Sequence, residues 1–115
     1  MTIARHNAGP RMSGAVVHNN TVYLASQVAA DASAGVKGQT EQVLKKIDDL
    51  LKAAGTDKSK LLSATIFLAD IRGFDEMNAA WDAWVVAGST PGRATVEARL
   101  ANAKFLVEIV AIAAV

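Results

Sequence analysis

Residues 105–115 are apolar at every position but one, Glu108. As a β-strand this run puts Phe105, Val107, Ile109, Ala111 and Ala113 on one face. The other face carries Leu106, Glu108, Val110, Ile112 and Ala114. A strand that is apolar on both sides needs cover on both sides. A chain of 115 residues, however, has length for one domain only. Its own elements can cover one sheet face, and the natural cover for the other is another copy of the chain.

The remaining segments say what covers the first face. Gly14-Ala-Val-Val and Thr21-Val-Tyr-Leu-Ala flank His18-Asn19-Asn20, two β-rich runs around an Asn pair, which predicts a hairpin. A short strand over residues 2–6 precedes it, and residues 31–35 read as a loop. Residues 36–54 form the clearest helix: Val36, Val43, Leu44, Ile47, Leu50, Leu51 and Ala54 recur on one stripe, with Gly55 placed to end it. Residues 61–69 alternate weakly and are apolar on both sides, as a central strand would be. Asp70 offers an N-cap oxygen to the next turn. Phe74, Met77, Trp81, Trp84 and Val85 make a second helical stripe that Gly88 closes. In Ser89-Thr-Pro91-Gly92, Pro sets φ and Gly supplies a positive φ. Residues 93–100 then alternate, Ala94, Val96, Ala98 and Leu100 against Arg93, Thr95, Glu97 and Arg99. The order β-β-β-α-β-α-β-β predicts an α+β two-layer domain, a mixed sheet packed on two helices over residues 1–115. Ala94, Ala98, Ala111, Ala113 and Ala114 are expected to let sheets approach one another closely.

Several functions are disfavoured from the outset. Leu, Ile, Val and Phe make up 30 of the 115 residues, so the chain is expected to fold. There is no cysteine, hence no disulfide, thiolate nucleophile or Cys-based zinc site. His6 and His18 lack partners at metal-ligand spacing, and no metal is expected. The formal net charge is +1, with no cluster of five or more Lys and Arg, so no nucleic-acid partner is expected. No apolar run approaches the 18 residues of a membrane span, and the N-terminus lacks a signal-peptide core. A cytoplasmic location is expected.

A few residues carry possible chemistry. Arg93 follows Pro91-Gly92, a rigid base for a guanidinium fork that suits a carboxylate; it also reads as a solvated strand-end Arg. Glu108 lies inside the most apolar strand, where a carboxylate is paired, set at an interface, or placed to discourage aggregation. Arg11 and Arg5 either add positive charge to an anionic site or are ordinary surface charge. Asn78 is either turned to a site or to solvent, and Trp81 with Trp84 reads as core and interface.

Taken in order, Gln39-Thr, Ala54-Gly55, Ala64-Thr-Ile-Phe-Leu-Ala-Asp70, Phe74, Asn78, Trp81, Pro91-Gly-Arg93-Ala-Thr-Val-Glu97 and Val107-Glu-Ile109 resemble the Rid (YjgF) family of reactive-intermediate deaminases. The resemblance runs from about residue 14 to residue 115. It implies a fold like bacterial α+β chorismate mutase and a homotrimer whose sheets form a central barrel, with sites between subunits. It also implies hydrolysis of 2-imino and enamine acids to 2-keto acids and ammonia, with no cofactor. Arg93 matches the residue that binds the substrate carboxylate, and Glu108 the acid that holds water. The backbone at Ala94 and Thr95 would lie beside the substrate, with Arg11, Ser26 and Asn78 around it. The chain departs from the family's deaminase pattern in three places. Arg11 stands where an aromatic residue follows Pro, Ala25-Ser26-Gln27 replaces Ser-Gly-Gln, and Gly92 replaces Ala. Those departures mark a divergent subgroup. They also motivate a second reading, a non-catalytic binder of small carboxylic metabolites at the same cleft.

Overall fold

The computed structural model describes residues 2–115. Asn19 and Asn20 both take left-handed backbone, with φ of 53° and 60°. Two such residues make the type I′ turn, whose twist matches that of the strands it joins. They join β2 (Ser13–His18) to β3 (Thr21–Leu24), as expected for the hairpin. β1 (Ala4–Ala8) pairs antiparallel with β2. Helix α1 (Val36–Ala53) follows the loop. Gly55 ends it at φ 84°, donating to Lys52 C=O while Thr56 N–H reaches Leu51 C=O, the two bonds of a Schellman cap. Strand β4 (Leu61–Leu68), helix α2 (Phe74–Trp84), β5 (Gly92–Glu97) and β6 (Val107–Ala114) complete the chain. The fold is α+β, with two helices on a six-stranded sheet of order β1-β2-β3-β6-β4-β5. β5 runs parallel to β4 and every other pair is antiparallel, so the sheet is mixed.

Some boundaries differ from the sequence reading. The first strand is Ala4–Ala8 and not residues 2–6. β5 stops at Glu97, short of residue 100, and β6 starts at Val107, not at 105. The ladder runs out because β4 ends at Leu68, whose C=O takes its last bond from Ala98 N–H. Beyond it Phe105 N–H is turned back to Asn102 C=O. Gly92 is not at positive φ; it pairs with Ser63 as the first residue of β5. Helix α2 ends at Trp84 because Val85 goes extended, and Gly88 takes its φ of 82° in the turn beyond.

One sheet face and the helices make the core. Val22, Leu24, Ala64, Ile66, Leu68, Val107, Ile109, Ala111 and Ala113 pack with Val43, Leu44, Ile47, Leu50 and Leu51 of α1 and Met77 and Trp81 of α2. Ala111 and Ala113 therefore lie under the helices and not on an assembly surface, which corrects the sequence reading; Ala94 is exposed and Ala114 is half-buried. The opposite face is bare. Glu108, Val110 and Ile112 of β6 line up there with Phe67, Thr65 and Ser63 of β4. Val96 and Tyr23 on the same face are 43% and 48% exposed. The result is a slab 43 × 37 × 20 Å. Its accessible surface is 6504 Å², against the roughly 6,000 Å² that size scaling gives a lone folded chain of this mass.

The corner between β4 and α2 is stiffened by charge. Asp70 caps the short turn Ile71–Gly73 by accepting from Arg72 N–H, and also takes the Arg72 guanidinium through both carboxylate oxygens. Those bonds hold its carboxyl down at about 2. Glu97 accepts from Ile71 N–H at 3.1 Å, tying the corner to the end of β5.

Two outcomes follow from these details. A Cβ at Gly92 would come no nearer than 3.8 Å to its closest neighbour, Leu62 C=O. Gly92→Ala is therefore expected to stabilise the chain by about 0.5 kcal/mol through the unfolded state, read as a raised Tm. Because the Asp70 pKa is depressed, its stabilising share is complete above the unfolded value of 3.8 and fades as pH falls through about 2. Acid titration of stability below pH 4 is expected to be shallower in Asp70→Asn than in the parent chain.

Candidate functional site

Arg93 leaves β5 on the helix side, in register with buried Ala64. Phe74, Asn78 and Trp81 stand one helical turn apart on α2 and close over it. The guanidinium carbon is 5.8 Å from the Phe74 ring centre and 5.3 Å from that of Trp81. Its Nη1 donates to Asn78 Oδ1 at 2.8 Å. Asn78 is thus the orienting partner of Arg93, neither a solvent-facing residue nor a separate one. Among the described residues no carboxylate pairs with Arg93. A guanidinium has five N–H donors, so most of them are left for an anion.

β5 is one of the two edge strands of the sheet. Ala98 N–H bonds to β4, and backbone direction alternates along a strand, so even positions face β4 and odd positions face the open edge. Thr95 therefore turns its N–H and C=O outward beside Arg93, while Ala94 turns its own to β4. The Thr95 hydroxyl is buried without a hydrogen-bond partner, the one such side-chain oxygen or nitrogen found among the described residues.

Glu108 belongs to the other face. It pairs with Phe67 on the bare side of the sheet. Ser26 Oγ donates to Glu108 Oε2 at 2.6 Å. The two are brought together because Gln27 and Ile109 exchange both backbone bonds, Gln27 N–H to Ile109 C=O at 2.9 Å and the reverse at 3.1 Å. Ser26 is exposed and Glu108 half-buried, so the carboxylate is bonded through one oxygen and open at the other.

Within one chain these groups form two half-sites. Arg93, Asn78 and Thr95 sit at the β5 edge on the helix side; Ser26 and Glu108 sit on the open face two strands away. Arg11 joins neither. It is exposed in the tight turn closed by Gly9 N–H to Met12 C=O, four strand spacings or about 19 Å across the sheet from β5. A depression of about 650 Å³ lies beyond the end of β5, lined by Glu97, Arg99, Asn102 and Phe105 among others, and includes neither Arg93 nor Glu108. Among the described residues no three His, Asp or Glu side chains gather as a metal would need. No helix among the described residues is long and apolar enough to cross a membrane.

Trp84 has a structural task. Its indole N–H donates to Asp48 of α1 at 3.0 Å and Lys58 lies 5.1 Å from its ring centre. The roles of Phe74 and Trp81 against Arg93 were not legible as such, since their helical stripe reads equally well as core. The i, i+4, i+7 set Phe74-Asn78-Trp81 beside a strand arginine was the available signal.

The family model described as Endoribonuclease L-PSP matches residues 2–115. The RutC family protein YoaB of Escherichia coli is 50% identical over the full length of both chains. The 2-iminobutanoate/2-iminopropanoate deaminase of Rattus norvegicus is 33% identical over 88% of this chain and 77% of its own. A crystal structure of a YjgF-family member from Neisseria meningitidis superposes with a TM-score of 0.96 at 43% identity, covering 99% of this chain and 95% of that one. With its fold matched as closely as its sequence, the chain belongs to the Endoribonuclease L-PSP family, the group of the YjgF, RutC and Rid-type proteins.

Proposed function

We propose that this chain hydrolyses 2-imino and enamine acids to 2-keto acids and ammonia, at a cleft that a second copy completes in a homotrimer. The observation that carries this reading is Arg93: a guanidinium fixed by Phe74, Trp81 and Asn78, with free donors at an open strand edge. Such a group suits a planar carboxylate, gripped through two parallel bonds. The deaminase relative at 33% identity supports the reaction class.

Each remaining group has a task in that chemistry. The outward amide of Thr95 lies next to the clamp, where the imine carbon and nitrogen of a bound 2-imino acid would fall. Glu108 from the neighbouring copy accepts a proton from water through the oxygen that Ser26 leaves open. Water adds to the C=N carbon, its proton passes to nitrogen, and the carbinolamine expels ammonia as the keto group forms. Imines hydrolyse unaided, so orientation and placed charge are enough. The bare face, with Val96, Tyr23 and Ile112, supplies the contact between copies. A net charge of +1 gives no footing for RNA as the substrate.

The Arg11, Ala25-Ser26-Gln27 and Gly92 departures favour the second reading, carboxylate binding without turnover. One assay separates the two. 2-Iminobutanoate made by an amino-acid oxidase is trapped with semicarbazide, and the parent chain is expected to lower the adduct. Losing charged hydrogen bonds worth about 1.5–3 kcal/mol should slow Arg93→Ala roughly 10- to 100-fold. Adduct equal to buffer alone sinks the deaminase; calorimetric binding of 2-ketobutyrate in the same preparation then establishes the binder.

Assembly is tested by light scattering. Three chains of 12.0 kDa should scatter as about 36 kDa, and Ile112→Asp on the bare face should leave a folded chain of lower mass, because burying an unpaired charge opposes association. A parent chain that scatters as a monomer removes the inter-subunit site.

A further inference from the structure

Gln39 is wholly buried in α1. An amide there costs free energy unless it is bonded. It is bonded in full. Oε1 accepts from Leu106 N–H at 2.9 Å, and Nε2 lies 3.2, 3.0 and 3.0 Å from the C=O of Ala32, Ala34 and Lys104. Those four backbone groups belong to two irregular segments, residues 25–35 and residues 98–106. The first carries Ser26 and, next to it, the Gln27 bridge to Ile109. The second runs straight into β6 two residues before Glu108.

Gln39 does not act alone. Gln42 and Lys46 follow at i+3 and i+7, on the same side of α1. Gln42 bonds both the N–H and the C=O of Asp31, at 2.9 and 3.0 Å, and Lys46 Nζ donates to Val28 C=O at 2.8 Å. One polar stripe of α1 therefore grips the first segment at residues 28, 31, 32 and 34. Gln39 alone on that stripe also reaches the second segment. Leu106, held by Gln39, in turn accepts from Ala69 N–H, which fixes where β6 enters the sheet.

We propose that Gln39 is a positioning residue that sets Ser26 against Glu108. By joining the two segments from which these side chains emerge, it holds the Ser26 hydroxyl on one carboxylate oxygen and keeps the other turned to the cleft. This rests on Glu108 as the water-holding group of the proposed function. Gln42 and Lys46 assist by pinning the Ser26 segment only.

The test uses Gln39→Met, which keeps length and loses every bond, and Gln42→Ala, a half-buried change that leaves the core intact. Thr56→Val is the control. It removes a bond of similar burial, Thr56 Oγ1 to Ala114 C=O, at the far end of β6. Amide exchange at Gln27 and Ile109 is measured in all three and corrected for global stability. Gln39→Met is expected to speed both amides by about 10-fold or more beyond the control, and Gln42→Ala to act in the same direction more weakly. Exchange no faster than in Thr56→Val overturns the proposal, and Gln42→Ala alone decides it if Gln39→Met does not fold. In the imine assay, Gln39→Met should lower kcat with KM held, because Arg93 is untouched, and should add nothing to Glu108→Gln. A raised KM with unchanged kcat, or full additivity, also overturns it. A parent chain without turnover defeats the proposed function instead, and the exchange arm still decides whether Gln39 positions the pair.

Discussion

The two faces of β6 govern the rest of this molecule. Val107, Ile109, Ala111 and Ala113 are sealed beneath the helices, and Glu108, Val110, Ile112 and Ala114 look out from the middle of the sheet. Two helices cannot cover both sides of six strands, so the slab is only 20 Å thick and its open side stays uncovered. Chemistry is divided along the same plane. The cationic half-site is built against the helices and the acidic half-site on the open side. Under the proposed function, the substrate carboxylate and the attacking water are handled by different copies.

Magnitudes explain why the arginine is held as it is. An Arg side chain loses about 1.5–2 kcal/mol of rotamer entropy when ordered. A single exposed cation–π contact returns about 0.5–1 kcal/mol, too little to offset that loss. Two rings plus the Asn78 bond together are of comparable size to it. The fork is then ordered before any ligand arrives, and a ligand need not bear that cost on binding. None of those three partners is a carboxylate, so the charge is steadied without being neutralised.

Local chemistry was readable in the chain and long-range contact was not. The Asn19-Asn20 pair announces its turn because few residues accept left-handed backbone. The α1 stripe and Gly55 announce helix and cap for similar reasons of period and φ. Element order and fold class followed from these signals. Period two also sorts β5 and β6 into faces but does not say which face the helices take, and Ala111 and Ala113 lie on the helix side and not on an assembly surface. Strand ends are not legible where the limit is the partner: residues 98–100 alternate well, yet β4 has no ladder left to offer them. Arg93 and Glu108 stand out by type and setting. Gln39 does not, because a glutamine in a helix looks like surface until the two segments it joins are known.

The strand order has a consequence in time. β6 lies between β3 and β4, yet it is the last element in sequence. Until residues 107–114 are in place, the β1-β2-β3 meander and the β4-α2-β5 unit have no strand in common. Each carries an unsatisfied edge that β6 alone fills, and each can form locally before closure. Closure is the non-local, slow step. During that interval the exposed edges of β3 and β4 are the places where a nascent copy is open to mispairing with another chain.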